Sequence, residues 1–170
     1  MSGAPQPAIA MPTPDDAFAF EITLHARPAA VHRAGRHVDA WGDWDALDVP
    51  RTALADPLAV DFEAALASLA RLERMYVEPD GSFVWTSPHA GPAWQVDGNL
   101  AEREGRVLLV DLRGSCPAGE FDRLLAACGW PEQPVMMQLV RPAVFLDEET
   151  FRRHAAARGK AGDGETLRPR

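Results

Sequence analysis

Apolar and polar positions alternate most regularly at Phe18, Phe20, Ile22 and Leu24, with Ala19, Glu21 and Thr23 between them. That period of two predicts a strand with one apolar face. The run Val107-Leu108-Leu109-Val110 is apolar on both faces and predicts a central strand over 107–112, covered on both sides. If helices cover Leu108, Val110 and Leu112, then Val107 and Leu109 need cover from the N-terminal segment or from a second subunit. After Arg113-Gly114, the residues Ser115, Cys116 and Pro117 read as a polar cap and a first-turn proline opening a helix. Its stripe is Phe121, Leu124, Leu125 and Cys128, and Gly129 with Pro131 ends it. A strand over 135–140 follows closely, so the unit has the length of a crossover joining two parallel strands.

Further helices are predicted from Asp56-Pro57 through Arg74, the longest in the chain, and from Asp147, where Leu146 can staple onto Phe151. Pro79-Asp80-Gly81 between Met75–Glu78 and Ser82–Thr86 predicts a hairpin with Phe83 and Trp85 on one face. A strand over 93–101, bent at Asp97-Gly98-Asn99, carries Trp94 and Val96, and Glu102–Gly105 turns back into the central strand. Arg36–Ala40 suggests a second strand and Ala143–Leu146 a short edge strand. Val38–Val49 reads as an acidic, aromatic loop, with a helical turn capped by Asp43 that buries Trp44 and Leu47.

These elements make an α+β two-layer sandwich: a mixed, mostly antiparallel sheet with two main helices and a C-terminal helix. Residues 1–16, with four prolines, are expected to be a disordered leader, 17–158 a single domain and 159–170 a disordered tail. The order helix, three strands, helix, strand and helix resembles the topology of small acidic secretion chaperones, without a shared motif.

At 170 residues, 46% hydrophobic and 25% charged, the chain is long enough to bury a sizeable core. A net charge of -8, with Lys160 as the sole lysine, excludes nucleic-acid and anionic-membrane binding as expectations. No stretch is long and apolar enough to span a bilayer and the start lacks a basic, apolar targeting pattern, so the cytoplasm is the expected compartment. Cys116 and Cys128, spaced along one predicted helix, are expected to be reduced thiols.

Four constellations could carry chemistry. His25, His32, His37 and Asp39 offer imidazole and carboxylate ligands for a transition metal, although their spacing matches no ligand signature. Asp39, Asp43, Asp45 and Asp48 lack the order of a calcium loop and read as a solvated acidic face. Cys116, at a predicted helix N-terminus, could be activated as a thiolate, with Ser115 as cap or nucleophile. Phe83, Trp85 and Trp94 form either the core face of the sheet or a binding hot spot, and Trp41 and Trp44 supply further aromatic surface. The expected function is a non-catalytic protein-interaction domain, adaptor- or chaperone-like, that binds a protein partner, with a homodimer as one option and no cofactor. The alternative is a small metal-assisted hydrolase using His25, His32, His37 and Asp39.

Overall fold

The fold was determined as a computed structural model, which describes residues 12–13 and 15–162. Most of the expected leader and the tail from 163 onward lie outside the described residues. In chain order the strands are β1 (Ala17–Ala26), β2 (Arg33–Asp39), β3 (Gly42–Leu47), β4 (Met75–Val77), β5 (Ser82–Thr86), β6 (Gln95–Arg103), β7 (Arg106–Pro117), β8 (Val135–Leu139) and β9 (Val144–Asp147). The helices are α1 (Phe62–Ala70), α2 (Ala118–Ala127) and α3 (Glu148–Ala161). One nine-stranded sheet runs β2-β3-β9-β8-β1-β7-β6-β5-β4, and every neighbouring pair is antiparallel. The chain is therefore α+β.

The parallel pairing expected of the strands around α2 does not occur. β7 and β8 do run in the same direction, but β1 fills the place between them and pairs with both. The reason lies in β1 itself, whose apolar side chains complete two buried rows. Leu139, Ile22 and Leu112 are in register in one, and Met137, Leu24 and Val110 in the next. Phe18 and Phe20 extend that face toward Phe121 of α2 and Phe151 of α3, with ring centroids 5.2–6.4 Å apart. Thr23, on the opposite face, donates a hydrogen bond to Asp111 across the β1–β7 pair at 3.1 Å.

The apolar run in β7 has a different explanation from cover on two sides. Ala101 pairs with Leu109 but Glu102 pairs with Val107, so Leu108 is the extra residue of a β-bulge. The bulge returns Val107 to the face of Val110, where it is fully buried, and leaves Leu108 and Leu109 half-buried. Val107 consequently gives no argument for a second subunit. The same residue corrects the start of α1. Leu58 donates to the Val107 carbonyl at 2.8 Å, Val107 donates to Val60 at 3.2 Å, and Phe62 donates to Gly105 at 2.9 Å. Residues 58–61 are thereby held extended along β7, and Asp56 closes a 3-10 turn at Arg51–Ala55 instead of capping a helix. α1 has nine residues, and the longest helix is α3, with fourteen.

Three more expectations change. Residues 115–117 continue β7, pairing Ser115 with Ala19 and Cys116 with Phe18, and no side chain caps α2. The predicted helical turn within 38–49 is the strand β3, so Trp44 and Leu47, three apart, face opposite sides of the sheet. Trp44 joins the main core, and Leu47 joins a second cluster with Val31, Met136 and Phe145. β9 is an interior strand, paired with both β8 and β3. α3 begins at the expected cap, with Asp147 accepting from the Thr150 N–H at 2.7 Å, but runs beyond 158 to a left-handed Gly162. The Pro79–Gly81 hairpin forms as the turn chemistry requires, with Gly81 at φ +97°.

Candidate functional site

The β2–β3 hairpin turns sharply at Asp39, whose carboxylate organises its surroundings. Oδ1 accepts from the backbone N–H of Trp41 at 2.9 Å, the N–H of Gly42 at 3.2 Å and the indole N–H of Trp44 at 3.1 Å. Oδ2 meets Nε2 of His154 at 2.8 Å and Nε2 of His37 at 3.3 Å. Four residues of one hairpin and His154 from α3, 115 positions from Asp39, thus share a single carboxylate. His154 is 2% exposed and sits between two indoles, its ring centroid 5.5 Å from Trp41 and 5.2 Å from Trp44, both edge-on.

The protonation states follow from these contacts. Burial alone would raise the Asp39 carboxyl, but the Trp44 indole, the Trp41 N–H and His154 hold it below the usual carboxylate range. Burial pushes His154 below the ordinary imidazole value, and the pull of Asp39 does not reverse this. His154 is therefore neutral near pH 7. An ionised carboxylate only accepts, so Nε2 of His154 carries the proton and donates to Asp39. Its Nδ1 is buried with no partner among the described residues.

Around this group lies a half-enclosed cleft of about 360 Å³. One wall is the hairpin end, with His37, Asp39 and Trp41. The connection from β8 to β9 supplies Val140, Arg141 and Pro142 beside Leu139, and α3 supplies His154 and Arg158, one turn apart on one helix face. Arg158 lies over the Trp41 ring, 4.9 Å from its centroid, and Nε of Arg141 is 3.4 Å from Glu21 on the cleft floor. Another concavity, about 540 Å³ and wider, runs past Arg33, Trp130 and Glu149. There Arg33 is engaged by Asp147 at 2.5 Å, which ties β2 to the cap of α3.

The sequence-derived candidates distribute unevenly. Of the proposed metal ligands, His37 and Asp39 adjoin, whereas His25 is buried against Phe145, 5.6 Å between centroids, and His32 is exposed in the loop before β2. Among the described residues no group of three or more His, Cys, Asp or Glu side chains is placed to hold a metal ion. Asp43 and Asp45 pair across the hairpin with Arg36, at 2.9 and 3.2 Å, and Asp39 faces the histidines, so the aspartates do not converge. Cys116 is buried inside β7 and not at a helix N-terminus. Burial, followed by Glu120 and Asp122, pushes its thiol far up, and burial pushes the Cys128 thiol up to about 12. Both stay protonated and free.

Phe83 and Trp85 are core residues, 3% and 2% exposed. The Trp85 indole donates to the Glu73 carbonyl at 3.0 Å, and half-buried Trp94 packs edge-on against it at 4.9 Å. Trp44 is buried and Trp41 half-buried in the cleft wall. The sequence reading missed His154, Arg158 and Arg141. One sign was available: His154 falls three residues after Phe151 on the buried stripe of α3 and is followed by three alanines. Compared with family models, curated proteins and solved structures, the chain matches none at a significant level.

Proposed function

We propose that the chain is a non-catalytic protein-interaction domain, adaptor- or chaperone-like, which receives part of its partner in the cleft beside Trp41. The observation that carries this reading is the cleft itself: a half-enclosed site where the half-buried Trp41 stands among two arginines and a carboxylate-anchored pair of histidines. Such mixed aromatic and arginine surfaces are where binding energy concentrates. Nothing beside it supports covalent catalysis, since both thiols are buried and Ser115 is enclosed in β7. The metal-assisted hydrolase would need His25 and His32 to join His37 and Asp39, and they stand apart.

The finer reading of the fold belongs to the same proposal. α2 and α3 meet β1 on one face, through Phe121 and Phe151, which supports a two-layer sandwich. A partner then reaches the protein at one end of the sheet, where Trp41 and Trp44 lie, while Phe83, Trp85 and Trp94 serve the opposite end as packing. Among the described residues no helix is long and apolar enough to cross a membrane. A cytoplasmic setting, and a second copy of the chain as the partner, remain within the proposal.

Native mass spectrometry of the untagged protein from its own host, wild type against Trp41→Ala, tests it. The expected result is a mass above the 18.5 kDa monomer that Trp41→Ala loses while its melting stays cooperative. Bare monomer in the wild type, or a complex indifferent to Trp41, overturns the reading.

A further inference from the structure

The β2–β3 hairpin is held to the rest of the molecule at two separated places. β2 is the outermost strand of the sheet, so the hairpin joins its neighbours through β3, and among the described residues the register of β3 with β9 holds the single pair Leu47 and Phe145. Near that pair Arg33 meets Asp147 at the cap of α3, and a bulge between Arg33 and Gly35 interrupts the ladder of the hairpin itself. A bulge beside a glycine is a place where a strand bends. From there to its turn the hairpin carries no further ladder pair with β9 and lies against α3 instead. Trp41 and Trp44 pack edge-on against His154, Arg158 covers Trp41, and Asp39 is bonded to His154 at 2.8 Å.

This far anchor suits one charge state. Neutral His154 donates through Nε2, and its buried Nδ1 has no partner among the described residues, so a proton added there arrives as an N–H without an acceptor. The new charge stands between two indoles on a side chain 2% exposed. The charged groups around it give little relief. Asp39 already meets five donors, where a carboxylate offers about four lone-pair sites, and His37 shares its Oδ2. Arg158, one turn along α3, repels an imidazolium. Glu21 of β1 is engaged by Arg141, Asp43 and Asp45 of β3 by Arg36, and Asp147 of β9 by Arg33. Burial accordingly outweighs the pull of Asp39 and holds His154 below the ordinary imidazole value. Moving the hairpin end away returns the imidazolium to water and exposes Trp44, while α3 stays in place through Phe151 against Phe18 and Phe20.

We propose that the β2–β3 hairpin is a latch, hinged at Gly35 and Leu47, closed on α3 by Asp39 and His154, and opened when His154 takes up a proton. Opening dismantles the cleft, because the hairpin end is one of its walls. The latch goes beyond the interaction reading and is independent of what the cleft receives. His154 binds its proton more readily in the open form. The open fraction therefore rises as pH falls below the ordinary histidine value of about 6.5, by at most about tenfold per pH unit, and levels off once the closed form is protonated as well.

The test is hydrogen exchange of the full chain, followed by NMR from about pH 7.5 to about pH 5, with each rate divided by that of the free indole or peptide at the same pH. Two indoles form an internal pair: the Trp44 N–H is bonded to Asp39, and the Trp85 N–H to the Glu73 carbonyl. Protection of the Trp44 indole and of the hairpin amides is expected to fall by up to about tenfold per pH unit below about pH 6.5, while the Trp85 indole and the amides of β1 and β7 keep theirs. His154→Gln keeps a donor for Asp39 but does not titrate, and is expected to flatten the Trp44 profile. His25→Gln, at the other buried histidine, is expected to leave the profile as it is. The contrast between the two indoles is read in the wild type, so it holds even if His154→Gln does not fold. Trp44 protection that is independent of pH, an equal decline at Trp85, or a decline that survives His154→Gln or disappears in His25→Gln overturns the proposal.

Discussion

The two ends of the sheet both carry paired tryptophans, and they use them in opposite ways. At one end Trp85 is 2% exposed, its indole N–H donates to a backbone carbonyl, and Trp94 stacks edge-on over it. Phe83 lies against Gly98, its register partner, in the space where any larger residue would place a Cβ. The Trp85 indole N–H is answered by the Glu73 carbonyl, and the rings of Phe83 and Trp85 belong to the main core. At the other end Trp44 and Trp41 flank a buried histidine, a carboxylate stands between them, and an arginine covers the outer ring. Aromatic pairs in a sequence therefore say little about whether a region is packing or site. The ionisable groups brought among them decide it.

The largest effect that separates the two ends is on stability. Trp85→Ala is expected to cost about 3–5 kcal/mol, the range for removing a fully buried aromatic side chain. Trp41→Ala, at a half-buried position on the cleft wall, is expected to cost less than about 1.5 kcal/mol. Urea unfolding of the two variants checks the contrast, and equal losses would place Trp41 in the core.

Asp39→Ala comes next, at about 1–3 kcal/mol, because the buried N–H groups of His154 and Trp44 would lose their acceptor. Upfield or downfield displacement of the Trp44 indole proton, with the Trp85 indole unmoved, would locate that loss at the cleft end. If both indoles moved alike, Asp39 would be acting on the fold as a whole.

The smallest expected effect is on pH dependence. Burial lowers the pKa of both His154 and His25 in the folded protein, with Asp39 and Asp111 respectively pulling the other way. Each group then binds its proton more readily in the unfolded chain. The stability it contributes is complete above the unfolded histidine value of about 6.5 and is lost as pH falls from there through the folded value, by at most about 1.4 kcal/mol per pH unit for each group. Unfolding free energies between pH 7.5 and 5 should show this decline, and His154→Gln should remove one of the two contributions. A profile unchanged by His154→Gln would mean that His154 takes up its proton at the same pH in the folded and the unfolded chain, contrary to the lowering by burial.

Local chemistry was enough to read several elements directly. The alternation of β1 is period two whatever lies beside it, Pro79-Asp80-Gly81 closes a hairpin through its own φ preferences, and Asp147 caps α3 three residues before the N–H it accepts from. The two buried aromatics Phe83 and Trp85 were equally visible, since i and i+2 on a strand share a face. What misled the reading were patterns that two structures satisfy. Trp44 and Leu47 are three apart, which suits one face of a helix, but on β3 they serve two separate apolar clusters on opposite sides of the sheet. Asp56-Pro57 has the chemistry of a helix opening, but the next residues hydrogen-bond to β7 and begin α1 later.

The sequence by itself determined which stretches are extended, where the chain turns tightly and where the last helix starts, because those choices depend on φ/ψ preferences and side-chain periodicity within a few residues. Only the tertiary structure decided the strand order, the insertion of β1 between β7 and β8, and the bulge that buries Val107, because each depends on backbone partners distant in the chain. The cleft belongs wholly to that second class. Asp39 and His154 become one hydrogen-bonded unit when β9 pairs with both β3 and β8 and sets α3 against the hairpin, and no spacing in the chain encodes an encounter across 115 positions.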